Sequence, residues 1–287
     1  MSFTRRKKRY QLVFALLMVL FVLASNAVGA EKELPLWEIG LGAAPLTMPS
    51  YRGSKNQEIY PILMPYIDYR GDFLRIDREG IRGLLYDSNR IRFELSGDGA
   101  IPSSTDNKGP RRGMPDLDPM LELGPSLNVM LYQSPRARLR VRLPVRAAMA
   151  TDFSTISHEG WKFHPDINIE VDEALWGWDA GVAAGPLFAD RDYHAFYYDV
   201  PERYAEPGFR KRYKASGGYS GTSLTFSASR RFEHIWAGLF FRYDNLSGAA
   251  FIDSPLVETR HSFMAGVGIA YVFWTSTSTV PATRNDF

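Results

Sequence analysis

The sequence predicts an all-β fold, a transmembrane antiparallel β-barrel of twelve strands, from three observations. First, residues 136–150, RARLRVRLPVRAAMA, place arginines only on even positions and alkyl side chains on the odd ones. Second, tight turns and long loops alternate between the predicted strands. Third, several segments reach the ~9–11 residues that a tilted transmembrane strand needs. Short turns at one end and long loops at the other are typical of outer-membrane barrels.

Residues 1–30 have the pattern of a secretory signal peptide that is removed on export. RRKKR at residues 5–9 precedes an apolar run at residues 12–24, which is too short to span a bilayer. Val28 and Ala30 are the small residues expected before a cleavage site. We expect export by the general secretory route. The mature chain then carries 29 basic and 32 acidic residues, a net charge of −3, which removes any case from composition for a nucleic-acid partner.

Twelve segments show alternation of apolar and polar residues. They are residues 36–45, 58–69, 72–78, 81–87, 90–98, 118–132, 137–150, 161–171, 174–187, 217–231, 234–246 and 260–274. The predicted long loops are residues 46–57, 99–117, 151–160, 188–216 and 247–259. Helical spacing is not evident after residue 30.

The pair of segments joined at Glu79 and Gly80 breaks the alternation of turn lengths. If residues 72–87 form one bent strand, the count falls to eleven and another boundary must change. A ten-strand barrel is therefore the alternative. The barrel domain is predicted over residues 31–274.

The polar faces of neighbouring strands carry both signs of charge, which decides which face points inward. A charged side chain facing lipid costs ~2–4 kcal/mol at the midplane of the bilayer. A charge with an opposite partner and hydrogen bonds can be buried. We therefore expect a charge network in the lumen, made of Arg138, Arg140, Arg142, Arg146, Glu122, Asp166 and Glu170. Within it, the three arginines at positions 138, 140 and 142 should face the three carboxylates.

A soluble periplasmic β-sandwich would explain the alternation as well as a membrane barrel does. The aromatic residues near the strand ends favour the membrane barrel. They are Trp37, Tyr69, Trp161, Trp176, Tyr219, Trp236, Tyr243 and Tyr271, at the levels where interfacial girdles lie. In the last strand, Gly268, Tyr271 and Phe273 match the Gly-x-x-aromatic-x-aromatic signal that the barrel assembly machinery reads. Residues 275–287 follow this signal, and we interpret them as a flexible periplasmic tail.

The sequence predicts no catalytic, cofactor or metal site. His194 lies near Asp190 and Asp192 in a predicted loop, where such clusters are more often solvated than catalytic. His164 and Asp166 are interpreted as a hydrogen-bonded pair in the lumen. The chain has no cysteine and no pair of histidines at ligand spacing. Three functions stay open at this point: a structural or binding barrel, a hydrolase of the outer membrane, and a small channel.

The chain resembles the MipA/OmpV family of outer-membrane proteins across residues 36–274. The resemblance rests on WEIGLGAAPLTMPSYRGSKNQ, YPILMPYIDYRGDFLRI, FYYDVPERYA, ASGGYSG, NLSGAAFIDSPLVE and GIAYVFW. Residues that carry it on the predicted loops include Tyr51, Gly53, Ser54, Tyr197, Tyr198, Pro201, Ser254 and Pro255. We call these eight the signature residues.

The resemblance implies a non-enzymatic barrel in the lipid of the outer membrane. It also implies one of two roles. The first is a scaffold that connects a murein-cleaving transglycosylase to a murein-synthesising penicillin-binding protein. The second is a surface antigen or adhesin. With both termini in the periplasm, the tight turns would offer a scaffold partner little area, and the signature residues would lie on the outward loops.

Overall fold

A computed structural model describes residues 33–77, 80–100 and 109–281. The predicted signal peptide lies outside the described residues. The elements, in chain order, are β1 (Glu33–Pro35), β2 (Trp37–Pro49), β3 (Gln57–Arg70), β4 (Leu74–Asp77), β5 (Gly80–Asp87), β6 (Ile91–Ala100), β7 (Met120–Gln133), β8 (Ala137–Thr151), β9 (Ile156–Phe163), β10 (Asp166–Leu175), β11 (Trp178–Ala189), α1 (Arg191–Tyr198), a 3₁₀ turn (Glu202–Tyr204), β12 (Gly218–Phe232), β13 (Ile235–Asn245), β14 (His261–Thr275) and β15 (Thr279–Pro281).

Strands β2 to β14 form one antiparallel sheet that closes on itself through the pairing of β14 with β2. Both β9 and β10 pair with β8 on one side and with β11 on the other. They are therefore one barrel strand, interrupted at His164 and Pro165, because a proline has no N–H to give to the ladder. The result is a closed barrel of twelve strands, as the sequence predicts.

The predicted pair of strands within residues 72–87 is also confirmed, although β4 has only 4 residues. The predicted long loop at residues 151–160 is wrong, since β9 already begins at Ile156. The short link is stabilised by Asp152, whose Oδ1 accepts backbone N–H bonds from Ser154 and Thr155. This Asx turn allows a tight connection where the composition indicated a long one.

The expectation that no helix follows residue 30 is wrong. Helix α1 forms within the longest loop, where the side chain of Asp190 accepts a hydrogen bond from the backbone N–H of Tyr193, at 2.9 Å. This is the usual N-cap arrangement for an aspartate. Eight residues are too few for helical periodicity to stand out in a sequence. Within the described residues, no helix is both long and apolar enough to cross a membrane.

The outer wall of the barrel is apolar. On β3 the odd-numbered side chains point outward, and Ile59 and Leu63 are 74% and 81% exposed. On β14 the outward side chains are Phe263, Val267, Ile269, Tyr271 and Phe273. A closed barrel with an apolar exterior and polar side chains inside is built for lipid surroundings. The inside-out assignment made from the alternation is thus confirmed by the fold.

Strand β15 pairs with β1 as a separate two-stranded sheet at the tight-turn end, and we call this pair the terminal ribbon. The backbone N–H of Leu36 also donates to the carbonyl oxygen of Ser278 at 2.8 Å. The prediction that a flexible tail begins at residue 275 is therefore wrong up to Pro281, because these residues find a strand partner near the N-terminus. Residues 282–287 lie outside the described residues.

An arginine on the outer wall should destabilise the barrel. Val267 is 56% exposed near the middle of β14. We expect Val267→Arg to lower the free energy of unfolding by ~2–4 kcal/mol, because the guanidinium would face acyl chains. Urea unfolding in lipid vesicles measures this, with Val267→Leu as the apolar control. Equal stability of the arginine and leucine variants would contradict a lipid-facing position.

Candidate functional site

One side of the lumen is lined by a ladder of ion pairs between β8 and β10. The strand register places Arg142 opposite Asp166, Arg140 opposite Asn168, and Arg138 opposite Glu170. The Nη2 atom of Arg140 lies 2.5 Å from Oε1 of Glu170, and Nε of Arg142 lies 2.8 Å from Oδ1 of Asp166. These pairs form because residues that are opposite in an antiparallel register share one face of the sheet.

Glu170 accepts from two arginines, since Nη2 of Arg138 also lies 3.3 Å from its Oε2. Arg138 is held from the other side by Asp172, at 2.7 Å. The Nε of Arg140 donates to Oδ1 of Asn168 at 3.0 Å. The ladder is a connected network rather than a set of isolated pairs, which is the condition under which buried charges are tolerated.

Two members of the predicted network lie elsewhere in the lumen. Arg146 contacts Asp98 of β6 at 3.2 Å. Glu122 pairs with Lys162 and accepts a hydrogen bond from the hydroxyl of Tyr193 at 3.0 Å. The expectation that Glu122 faces an arginine is wrong. The β7–β8 register puts an alanine opposite Glu122, which leaves its carboxylate to Lys162.

The proposed bond between His164 and Asp166 is also wrong. His164 Nε2 lies 2.7 Å from the hydroxyl of Ser223 on β12, whereas Asp166 is bound by Arg142. Sequence reasoning missed a further set of buried charges near the tight-turn end, comprising Arg70, Arg75 and Arg82. Asp68 and Asp77 pair with two of these arginines. Strand β4 is too short to show an alternation that would have assigned Arg75.

The outward mouth of the barrel carries a packed cap made by four loops. Its core is Tyr51, Met114, Leu117, Tyr198, Val200, Ala215, Leu246, Ala249, Phe251 and Leu256. The rings of Tyr198 and Phe251 stack with centroids 3.7 Å apart. Inside the mouth, Tyr193 packs against Met120, Ala148 and Ala189 of the wall. The cap is therefore attached to the barrel by apolar contacts as well as by hydrogen bonds.

The signature residues join three of these loops to one another. The hydroxyl of Tyr51 donates to the carbonyl oxygen of Leu256 at 2.7 Å. The hydroxyl of Ser254 donates to the carbonyl oxygen of Tyr198 at 2.8 Å. The hydroxyl of Tyr198 donates to the carbonyl oxygen of Arg52, also at 2.8 Å. All eight signature residues lie between barrel strands, Tyr197 and Tyr198 at the end of α1 and the others outside helix and strand.

Most signature side chains are buried rather than available to a partner. Tyr51, Gly53, Ser54, Tyr198 and Ser254 are buried in the cap. Tyr197 and Pro255 are half-buried, and Pro201 is exposed. Burial raises the pKa of the Tyr51 and Tyr198 hydroxyls, so both stay protonated and donate their hydrogen bonds. The signature residues therefore serve mainly to pack the cap.

His194 is a structural residue of the cap. Its Nδ1 donates to the carbonyl oxygen of Ser216 at 2.6 Å, and its Nε2 lies 2.5 Å from the hydroxyl of Ser220. Burial and the nearby Arg52 lower the pKa of this imidazole. Asp190 uses its carboxylate to cap α1 and to accept the backbone N–H of Trp161. Among the described residues, no group of His, Asp or Glu side chains is arranged to hold a metal ion.

The residues of the assembly signal lie on both faces of β14. Tyr271 and Phe273 are 56% and 46% exposed on the outer wall. Gly268 points into the lumen, where a Cβ would meet the ring of Trp236 and the methyl group of Ala44. The two aromatic side chains are thus accessible from the lipid side near the tight-turn end.

The model of the family described as MltA-interacting protein MipA matches residues 41–273. This match covers most of the barrel and includes the whole cap. The chain belongs to the MipA family. With its apolar outer wall, this member of the MipA family is a protein of the outer membrane. The comparison with curated proteins gives no match.

Solved structures that resemble this MipA-family chain include three outer-membrane proteins. The NanC porin is 9% identical, with a TM-score of 0.39, over 80% of this chain and 98% of that one. The channel DcaP of Acinetobacter baumannii is 8% identical, with a TM-score of 0.37, over 87% and 99%. The protease OmpT of Escherichia coli is 8% identical, with a TM-score of 0.31, over 86% and 100%.

Removing one arginine of the ladder should be costly. We expect Arg140→Met to lower the free energy of unfolding by about 3 kcal/mol, because it leaves part of the Glu170 charge buried without its partner. Arg136→Met, at the residue immediately before β8, is the matched control. Its pair with Glu173 is exposed and 3.8 Å long, so the loss should stay below about 1 kcal/mol.

Urea unfolding in detergent measures both effects. The double variant Arg140→Met, Glu170→Gln should recover most of the lost stability, because the uncompensated charge is then gone. Equal effects of Arg136→Met and Arg140→Met would show that the ladder does not carry buried charge.

The cap should loosen in acid through His194. Because the pKa of His194 is lower in the folded cap than the ~6.5 of an unfolded chain, the unfolded cap takes up the proton first as the pH falls. The cap stability is thus complete above about pH 6.5 and declines below it. Proteinase K should cut the cap faster at pH 5.5 than at pH 7.5, with rates normalised to an unfolded peptide.

His194→Gln should remove this pH response, since a glutamine stays neutral while it donates and accepts hydrogen bonds. His158→Gln, at an exposed histidine of β9, should retain it. A pH response that persists unchanged in His194→Gln would assign the effect to another group.

Proposed function

We propose that the protein is a non-enzymatic scaffold of the outer membrane that binds a murein transglycosylase at its periplasmic end. The family name describes an interaction with the transglycosylase MltA. The observation that carries the proposal to this chain is the terminal ribbon. It extends the tight-turn end beyond the barrel, and this end faces the periplasm in outer-membrane barrels.

The ribbon gives a partner the contact area that tight turns alone lack. Glu33, Thr279 and Pro281 are exposed on it, and Val280 is buried beneath. The guanidinium of Arg70 donates to the carbonyl oxygen of Pro35 at 2.8 Å, which holds the ribbon against the barrel. A penicillin-binding protein, the second partner in the scaffold role, would use the same end of the molecule.

The cap argues against the alternative role of the signature residues as a recognition surface. A binding residue has to reach its partner, whereas Tyr51, Tyr198 and Ser254 are buried and bonded to the neighbouring loops. The geometry of His194 likewise supports a structural rather than a catalytic role. Both of its ring nitrogens are engaged by the cap.

Export and assembly complete the proposal. Residues 1–30 would direct the chain to the general secretory route. The barrel assembly machinery would then read Tyr271 and Phe273, whose exposure on the outer wall of the last strand leaves them accessible before the barrel closes.

A small channel is the second candidate, since several side chains on one side of the lumen are only half-buried. Planar-bilayer recordings decide between the two functions. Steady openings whose ion selectivity changes in Arg140→Ser would favour a channel over a scaffold.

The scaffold predicts a contact at the terminal ribbon. A photo-reactive amino acid at Thr279 should cross-link to the transglycosylase in living cells, because the ribbon faces the periplasm in this proposal. The same amino acid at Phe209, which is 44% exposed on the cap, is the matched control and should give no such adduct. A transglycosylase adduct from the cap position alone would overturn the proposed interface.

A further inference from the structure

The two sides of the lumen are packed differently. On the charged side the inward residues are buried, including Arg92, Glu94, Asn128, Arg140 and Asn168. On the other side, formed by β13, β14, β2 and β3, the large inward residues along the middle of the strands are apolar and only partly covered, while charged residues such as Glu38 and Asp244 lie toward the two ends. We call this the apolar side, and its large residues are Leu46, Ile62, Met64, Trp236, Phe240 and Met264. Met64 is 47% exposed although it points into the barrel.

A shallow trough lies between β2 and β3 on the apolar side. Its floor is formed by Ala44 and Ile62, which are opposite in the β2–β3 register. Gly268, whose Cβ position lies 3.6 Å from Ala44, and Gly238 continue the floor beneath the ring of Trp236. The rings of Trp236 and Phe240 lie flat over glycines, since a Cβ at Gly238 would collide with Trp236 and one at Gly266 with Phe240. The ring of Trp236 therefore covers Gly238 and reaches Gly268, and the ring of Phe240 covers Gly266. The open part of the apolar side lies beyond these rings, beside Ala44, Leu46, Ile62 and Met64.

The trough runs to an edge of the sheet. Strand β4 pairs with β3 only at Tyr69 and Arg70 among the described residues. Within the same described set, residues 57–65 of β3 pair with β2 alone. Among the described residues, no strand is paired with β3 beside Ile62 on the side away from β2. The trough ends at this edge of β3, which we call the free edge.

Two prolines protect the edge against another strand. Pro61 lies opposite Pro45 in the β2–β3 register, so this position cannot be a hydrogen-bonded pair. The amide nitrogens of Pro61 and of Pro65, four residues further on, therefore both face away from β2. Neither proline has an N–H that could donate a hydrogen bond to another strand at this edge. Prolines on an edge strand block pairing with another chain.

We propose that an acyl chain of a membrane lipid enters the barrel over the free edge of β3 and lies in the trough. The lipid-facing outer wall is continuous with the trough at this edge, because Ile59 and Leu63 point outward and Ile62 and Met64 point inward on the same strand. The trough is apolar like the chain, and the prolines exclude a β-strand as the occupant. This inference does not depend on the periplasmic partner.

Brominated lipids test the proposal, and the absence of cysteine allows single labels. A bimane group is attached to Ile62→Cys, with Leu63→Cys as the outward position and Ser227→Cys as an inward position of β12. The proteins are placed in nanodiscs whose lipids carry bromine on the acyl chains. The proposal predicts quenching at Ile62 and Leu63 but none at Ser227. Met64→Cys replaces Ile62→Cys if the latter does not refold.

Filling the trough is the decisive control. Ala44 is on its floor, and the neighbouring Ala43 is exposed on the opposite face of β2. Ala44→Phe should abolish quenching at Ile62 and leave it at Leu63, whereas Ala43→Phe should change neither. Quenching at Ile62 that survives Ala44→Phe would overturn the proposal, as would an Ile62 label that is quenched no more than the label at Ser227.

Discussion

The register between β8 and β10 is the constraint on which the rest of the structure depends. It sets three arginines against two carboxylates and an amide, so that the cationic face of β8 can be enclosed. Shifting β8 by a single residue would turn its guanidinium groups toward lipid. With that face enclosed, the alkyl face of β8 has to be the outer wall. The neighbouring strands follow the same alternation around the closed sheet.

The barrel could be predicted from local patterns because each strand repeats one physical rule. Alternation determined the inward faces, including Arg138, Arg140 and Arg142. The partner of Glu122 could not be predicted, since it depends on a register between β7 and β8 and on Tyr193 from a distant loop. The terminal ribbon was missed for a similar reason: its two strands are only three residues long and far apart in the sequence.

The cap shows how motifs and burial have to be considered together. The signature residues were expected on the outward loops, and loops are the part of a fold that most often carries binding residues. In the structure they instead connect three loops through hydroxyl groups and stacked rings. The proposed surface for a protein partner is therefore the terminal ribbon, at the opposite end of the barrel. The apolar side of the lumen is the proposed contact for a lipid.

The central claim is that guanidinium groups point inward and alkyl groups face lipid on β8. Single spin labels along residues 138–143, read by their collision rates with oxygen and with a water-soluble nickel complex, test it most directly. The account predicts that labels at Leu139, Val141 and Leu143 in a bilayer collide with oxygen, which is concentrated among acyl chains, and are shielded from nickel. Nickel collisions at these odd positions, with shielding at the even ones, would contradict it.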